Sequence, residues 1–353
     1  MLTDSPLPLR LALALLCAAL WSFLLTPSAS ALAARLGAID RPGEERRVHR
    51  GAVPRLGGMA IFLGVALALL CFSRGGAALE GVLRGALLIA LMGTLDDCLG
   101  LRAPLKLAAQ LLAAGLAWRA GARIEVLTVP FAGSGRFVAV GALSLPLTLL
   151  WLTLCANAMN LIDGLDGLAA GVAAIASGSM LLVAALVSEG EVALLLAAVT
   201  GGCLGFLPYN RNPARVFMGD VGSQLLGYLL GAASLLGMFK AHALLGFLAP
   251  LALGLPLADT AWAFVRRALH GRNPLRADRG HIHHRLLDLG CSQREAVGLL
   301  YAVSALLGLL AVALAAHGAL AKAIGAALFG ASSAAALALV RRRLLIRAAA
   351  RRG

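Results

Sequence analysis

The stretch Ala156-Asn157-Ala158-Met159-Asn160-Leu161-Ile162-Asp163-Gly164-Leu165-Asp166-Gly167-Leu168-Ala169-Ala170-Gly171 decides how the chain is read. It sets two amides and two carboxylates among apolar residues, and apolar runs long enough to cross a bilayer flank it on both sides. Ionisable groups at a membrane boundary are costly, and they face the protein interior or a water-filled cavity. Asn157, Asn160, Asp163 and Asp166 are therefore expected to line a polar site. On a helix each step of three residues turns about 300°. The four side chains drift half-way around and cannot share one face, so Gly164 and Gly167 are expected to open the helix into a loop that wraps a ligand. The bland alternative is that the four merely cap the flanking helices.

Composition points the same way. Of 353 residues 60% are hydrophobic and 14% charged, against about a quarter charged in soluble proteins. A soluble fold could not cover that much apolar surface. The expected fold is an all-α polytopic membrane protein, one domain over 1–353, with about eleven transmembrane helices. A net charge of +14 on a soluble chain would suggest nucleic acid. Here the arginines sit between apolar runs, as topology signals and contacts to anionic headgroups do. The lipid bilayer is the expected partner, nucleic acid is not, and a cationic face would also attract a phosphorylated or nucleotide substrate. The six cysteines are scattered without metal or redox spacing and read as small packing residues.

The first apolar run spans 11–33. Ser28-Ala29-Ser30-Ala31 resembles a signal-peptidase site, but the arginines between Arg35 and Arg55 resist export, so the run is expected to stay as a membrane helix. Further helices are expected to end near Phe72, over 82–95, 105–120, 145–159 and 168–187, and to end near Leu207 and Phe239. The last three are expected over 243–269, 297–316 and 319–340. Between 123 and 140 the pattern turns strand-like around Pro130, Gly133 and Gly135, which predicts a short extracytoplasmic β-hairpin. With the first loop in the cytoplasm, most of the 31 Lys and Arg fall on the cytoplasmic side, the N-terminus outside and the C-terminus inside. That orientation also gathers Asp96, Asp97, Asn157, Asn160, Asp163, Asp166, Asp220 and the His281 segment on the cytoplasmic face, in cytoplasmic catalytic loops.

These residues form two chemical sets. Asp96 and Asp97 close a helix at its C-terminal end, where carboxylates oppose the dipole unless a cation compensates them. Asp220 in Met218-Gly219-Asp220-Val221-Gly222-Ser223 reads blandly as an N-cap, while Gly219 and Gly222 suggest close backbone approach to a ligand. Against these stand Lys106 and Arg279-Gly280-His281-Ile282-His283-His284-Arg285, which His49, Arg46, Arg47 and Arg55 could join. Three histidines in four residues could ligate a transition metal. Carboxylates and amides for a hard cation, with His and Arg donors for phosphate, fit better. Phosphoryl transfer between a nucleotide and a lipid phosphate needs this combination. A secondary transporter also carries membrane acids and broken helices, but its site lies near the midplane, whereas these motifs lie at helix ends.

Five blocks then carry a resemblance: Arg46-Arg47-Val48-His49 through Pro54-Arg55-Leu56-Gly57-Gly58, Asp96-Asp97, Asn157 through Ala169, Phe217 through Ser223, and His281 through Arg285. Together they span about 40–287, and in this order they resemble the polyprenyl-phosphate N-acetylhexosamine-1-phosphate transferases (the WecA/TagO/MraY superfamily). The resemblance implies a membrane enzyme that moves a sugar-1-phosphate from a UDP-N-acetylhexosamine to undecaprenyl phosphate, releasing UMP and using Mg²⁺, or Mn²⁺ in its place. It implies that Asp220, with Asn160 or a neighbour, holds the metal. Asp96 would deprotonate the lipid phosphate, with Asp97 assisting and Asp163 and Asp166 required. Lys106, Asn157, His49, Arg55, His281, His283, His284 and Arg285 would bind substrate. His281-Ile282-His283-His284-Arg285 is similar to the branch using UDP-N-acetylglucosamine rather than the branch using UDP-N-acetylmuramoyl-pentapeptide. UDP-N-acetylgalactosamine or a deoxy-aminosugar nucleotide stays open, as does a covalent aspartyl route. A bacterial inner-membrane location and a homodimer are the accompanying expectations.

Overall fold

The structure is a computed structural model that describes residues 3, 5–40, 52–128, 137–187, 189–236, 251–270 and 280–315. Among these the chain is a helical bundle with two small antiparallel ladders. The helices are α1 (Leu7–Leu36), α2 (Gly57–Phe72), α3 (Ala77–Leu99), α4 (Ala103–Arg119), α5 (Ser144–Ile162), α6 (Leu168–Leu186), α7 (Gly190–Asn210), α8 (Gly219–Ala233), α9 (Gly254–Leu269), α10 (Ile282–Asp288) and α11 (Gln293–Ala315). β1 (Ile39–Asp40) pairs with β2 (Val53–Pro54), and β3 (Val126–Thr128) with β4 (Phe137–Ala139). The second ladder falls within the expected hairpin; the first was not anticipated.

Among the described residues six helices are long and apolar enough to cross a membrane: α1, α3, α5 with its preceding turn, α6, α7 and α11; α2 is apolar but shorter. The expected last span at 319–340 lies outside the described residues, as does the start of the one expected at 243–269. Large apolar side chains point outward around the bundle, among them Leu16, Leu70, Leu150 and Leu182. In a bilayer such a belt meets acyl chains rather than water.

The helix at the centre is α8, buried at every residue from Val221 to Ala233. Apolar lipid provides no hydrophobic drive between spans, so close packing through small residues brings helices together. Here Gly222 lies against Gly58 of α2, Gly93 of α3 against Val221, and Gly227 against the Cys155 carbonyl of α5. These contacts bring the ends of α3 and α5 and the starts of α2, α4, α6 and α8 to one end of the bundle. α3 stops at Gly100 (φ +66°), whose N–H donates to the Asp96 carbonyl at 2.8 Å.

Candidate active site

The site begins with a lysine between two acids. Lys106, in the first turn of α4, donates from Nζ to Asp96 Oδ2 of α3 at 2.8 Å and to Asp220 Oδ2 of α8 at 2.9 Å. Asp96 Oδ1 accepts the Leu101 N–H at 2.8 Å, which pins it beside the α3–α4 turn. Asp220 is held from further sides: Asn160 Nδ2 donates to Oδ1 at 3.0 Å and Gln224 Nε2 to Oδ2 at 2.9 Å. Asn160 Nδ2 also reaches Ser223 Oγ at 2.9 Å, leaving the Asn160 Oδ1 without a protein donor among the described residues.

Asp97 does something different from Asp96. Its oxygens accept the N–H groups of Asp220 and Val221 at 3.1 and 3.2 Å, and Arg55 donates to Oδ1 at 2.9 Å. A carboxylate on orphan N–H groups is an N-cap supplied from another helix. Gly219 (φ +69°) makes this approach possible, since a Cβ there would lie 2.2 Å from Asp97 Oδ2 and 2.0 Å from the Arg55 carbonyl. Burial is opposed by the Asp97, Asp220 and Asp40 carboxylates, which raise the Arg55 pKa further and keep it charged.

The motif at 157–166 behaves partly as expected. α5 ends at Ile162 and α6 starts at Leu168, with Gly167 at φ +79°. The connector therefore opens at the glycines, but Asn157 and Asn160 lie on α5 rather than on a loop. Asn160 faces Asp220. Asn157 Nδ2, a turn away, donates to Gln110 Oε1 at 2.8 Å, and Gln110 Nε2 reaches Gln224 Oε1 at 2.9 Å. A chain of amides thus runs from Asn157 back to Asp220. Asp166 turns elsewhere: it accepts Asn212 Nδ2 at 2.9 Å and the Ala214 N–H at 3.0 Å. Asp163 stays in reach of the acids and accepts no hydrogen bond among the described residues. Burial, with Asp220 and Asp97 nearby, pushes its carboxyl up to about 8.

The histidines form a short helix, not the loop expected. Asp259 of α9 accepts from the Ile282 N–H at 2.9 Å, capping α10, and its other oxygen lies 2.8 Å from His281 Nδ1. His283 stacks on His281 with ring centroids 5.9 Å apart and meets His284 at 4.3 Å. It also sits over Gly164, where a Cβ would come within 2.3 Å of its Nε2. The histidine segment thereby joins the connector that carries Asp163. The His283 Nδ1 is buried without a hydrogen-bond partner among the described residues, and burial and its histidine neighbours lower its pKa to about 4. Arg285 is exposed. His49 lies outside the described residues.

No group of three His, Cys, Asp or Glu side chains among the described residues is arranged as a ready metal cage. Mg²⁺ requires none, because it binds through one or two carboxylates and is completed by water and substrate phosphates. The donors fit such an ion: they are hard oxygens, and Asp163 carries a carboxylate that accepts no hydrogen bond among the described residues.

Residues 79–238 match the sequence profile described as "Glycosyl transferase family 4". A "Probable undecaprenyl-phosphate N-acetylglucosaminyl 1-phosphate transferase" from Bacillus subtilis is 38% identical over 311 residues, covering 87% of this chain and 85% of that protein. The chain belongs to glycosyl transferase family 4. A "Decaprenyl-phosphate N-acetylglucosaminephosphotransferase" from Mycolicibacterium smegmatis is 39% identical, covering 85% of this chain and 81% of that protein. A "Phospho-N-acetylmuramoyl-pentapeptide-transferase" from Desulforudis audaxviator is 40% identical over 55% of this chain and 65% of its own length.

In this family 4 transferase the acids and Lys106 were legible as motifs, whereas their supports were not. Gln110, Gln224 and Asp259 were missed. The first two lie inside apolar runs, where a lone amide stands out against its neighbours and gave the available signal. Asp259 offered the same signal in Leu257-Ala258-Asp259-Thr260-Ala261-Trp262.

Proposed function

We propose that this chain transfers N-acetylglucosamine-1-phosphate from UDP-N-acetylglucosamine to undecaprenyl phosphate, releasing UMP and starting a lipid-linked envelope glycan. The observation that carries the reading is Lys106 bridging Asp96 and Asp220 at 2.8 and 2.9 Å. A cation shared by two carboxylates at a helix start suits a phosphate that competes for it. The names of the relatives from Bacillus subtilis and Mycolicibacterium smegmatis support the sugar and the polyprenyl acceptor. The pentapeptide-transferase relative is matched over a smaller share of both chains.

Asp220 and Asn160, with Asp163 beside them, would hold Mg²⁺, or Mn²⁺ in its place, on the UDP-sugar diphosphate. When bound, the ion supplies positive charge against the phosphate oxygens. Asp96 takes the proton from the lipid phosphate. The freed oxygen bonds to the β-phosphorus, the bond from that phosphorus to the bridging oxygen breaks, and UMP departs with the electron pair. Lys106 and the His281–Arg285 segment offset the charge that develops on UMP. Asp97 and Asp259 keep the two capped helices, and so Asp220 and His281, in position. The active end faces the cytoplasm of a bacterial inner membrane, with the N-terminus outside and the C-terminus inside. A homodimer is compatible with this arrangement.

The test is transfer of label from a panel of UDP-sugars to undecaprenyl phosphate by the full chain in detergent. Label from UDP-N-acetylglucosamine should enter the organic phase in the presence of Mg²⁺. Transfer from UDP-N-acetylmuramoyl-pentapeptide alone would reassign the donor. Uptake into sealed vesicles without lipid labelling would reject the enzyme reading in favour of transport.

A further inference from the structure

On the far side of the 163–167 connector a cleft of about 910 Å³ opens between α1, the end of α7 and the start of α11. Its walls divide by chemistry. Phe23, Leu207, Pro208, Tyr209, Val297 and Tyr301 make an apolar and aromatic side, with the Phe23 and Tyr209 rings 5.1 Å apart. Arg211, Arg215 and Arg294 make the other. Arg294 is occupied, donating to the side-chain and main-chain oxygens of Asn212 at 3.3 and 3.1 Å. The guanidinium groups of Arg211 and Arg215 are exposed and make no hydrogen bond or ion pair among the described residues. Asp166, the carboxylate in the wall, is turned to Asn212 and Ala214.

The place of the cleft matters as much as its charge. Each of α1, α7 and α11 is long and apolar enough to cross a membrane, and the cleft lies where α7 ends and α11 begins. Exposed arginines and aromatic rings lining one cleft at the end of a span match the composition of a membrane–water interface. We propose that this cleft binds the phosphate-bearing headgroup of an anionic phospholipid. Arg211 and Arg215 hold the phosphate, and the Phe23–Tyr209 side packs on the glycerol and the first methylenes. A soluble phosphate would use the arginines but gain nothing from the apolar wall, where Phe23 is 43% exposed. Because Asp166 and Gly167 belong to the same wall, a seated headgroup braces the connector that carries Asp163.

Native mass spectrometry of the full chain in mixed micelles tests this directly. Phosphatidylglycerol should be retained at one copy per chain, and phosphatidylcholine should not. A basic side chain near an anionic headgroup is worth roughly fivefold in affinity. The Arg211→Gln/Arg215→Gln pair should therefore weaken retention about thirtyfold, and the corresponding Lys pair by much less. Arg119→Gln, on α4, serves as the control and should leave retention unchanged. If the double variant fails to fold, Arg215→Gln alone should cost about fivefold. Equal retention of phosphatidylcholine, or glutamine variants within twofold of the unmodified chain, would overturn the proposal. Displacement of the lipid by inorganic phosphate or by UMP at equal concentration would also overturn it, by assigning the cleft to a soluble phosphate.

Discussion

Replacing Asp163 by Asn should make the ligand-free protein more stable and the enzyme inactive. The Asp163 carboxyl is raised from 3.8 to about 8, chiefly by burial and then by Asp220 and Asp97. The sign follows from linkage. A raised acid prefers to stay protonated in the folded chain, while the unfolded chain ionises it above about 4. The group therefore costs nothing below about pH 4, and its cost grows to a full value above about pH 8. At pH 7 the upper bound is about 4 kcal/mol. The carboxylate is half-buried, and water reaching it reduces the expected cost to about 1–3 kcal/mol. Asn removes the charge and keeps the shape. A gain of this size corresponds to a few degrees in midpoint for a chain of this length. The assay is thermal unfolding of the purified chain in detergent, without divalent ions, between pH 5 and 8. The variant should melt higher at pH 7.5, and the difference should vanish towards pH 4. Added Mg²⁺ should raise the midpoint of the parent chain and move that of the variant less. Turnover should fall at least a hundredfold. A variant that melts lower than the parent at pH 7.5, or that keeps near-normal turnover, would refute the view of Asp163 as a carboxylate held for a cation.

Lys106→Gln removes the shared cation from Asp96 and Asp220; hydrogen bonds to charged groups are worth about 1.5–3 kcal/mol, so kcat/KM should fall roughly 10- to 150-fold in steady-state assays. Gly58→Ala would put a Cβ 2.2 Å from the Gly222 backbone, and the overpacking should cost about 1–3 kcal/mol, read as a lower melting midpoint at every pH. Asp259→Ala uncaps α10 and frees His281; the cap is worth about 1 kcal/mol, and the KM for the sugar nucleotide should rise more than kcat falls. His283 is held down to about 4 from 6.5, so the unfolded chain takes up its proton first, and stability should drop as pH falls from about 6.5 towards 4. His283→Phe should flatten that part of the curve in pH-dependent melting.

The sequence could be read where chemistry and environment conflict. A carboxylate pair at an apolar helix end, or Asn-x-x-Asn-x-x-Asp-x-x-Asp between two spans, has no purpose in lipid except a site, so Asp96, Asn160 and Asp163 stand out in the sequence, as Asp220 does between Gly219 and Gly222. Helix positions followed from apolar runs, although ends moved by several residues, as for α3, which starts at Ala77 rather than Val82. Backbone bonding sets those ends, and composition does not encode it. The helix through His283 and His284 was missed because its cap comes from Asp259, 22 residues upstream of His281. The different duties of neighbouring carboxylates were equally hidden. Asp96 and Asp97 look interchangeable in the chain, but successive helical residues point about 100° apart. One therefore meets Lys106, and the other meets the first turn of α8.

That divergence explains how a site made of separate helix ends keeps its shape in a bilayer. Helix ends in a membrane protein need their orphan N–H groups satisfied from within the protein. At two points a carboxylate from a different segment does this, Asp97 on α8 and Asp259 on α10, and Asp166 ties the connector after α7 in a similar way through the Ala214 N–H. Each tie also fixes a functional side chain or loop, respectively Asp220, His281 and the segment after α7. Acidic residues around this site thus divide into those that tie a sequence-distant segment through its backbone N–H groups and those turned chiefly to side chains, or to no donor among the described residues. Asp97, Asp166 and Asp259 belong to the first kind, and their loss should loosen the site. Asp96, Asp163 and Asp220 belong to the second: Asp96 and Asp220 share Lys106, the one backbone N–H on Asp96 comes from the adjoining turn at Leu101, and Asp163 accepts nothing among the described residues. Under the proposed function these three supply the charge for a phosphate substrate and its counter-ion.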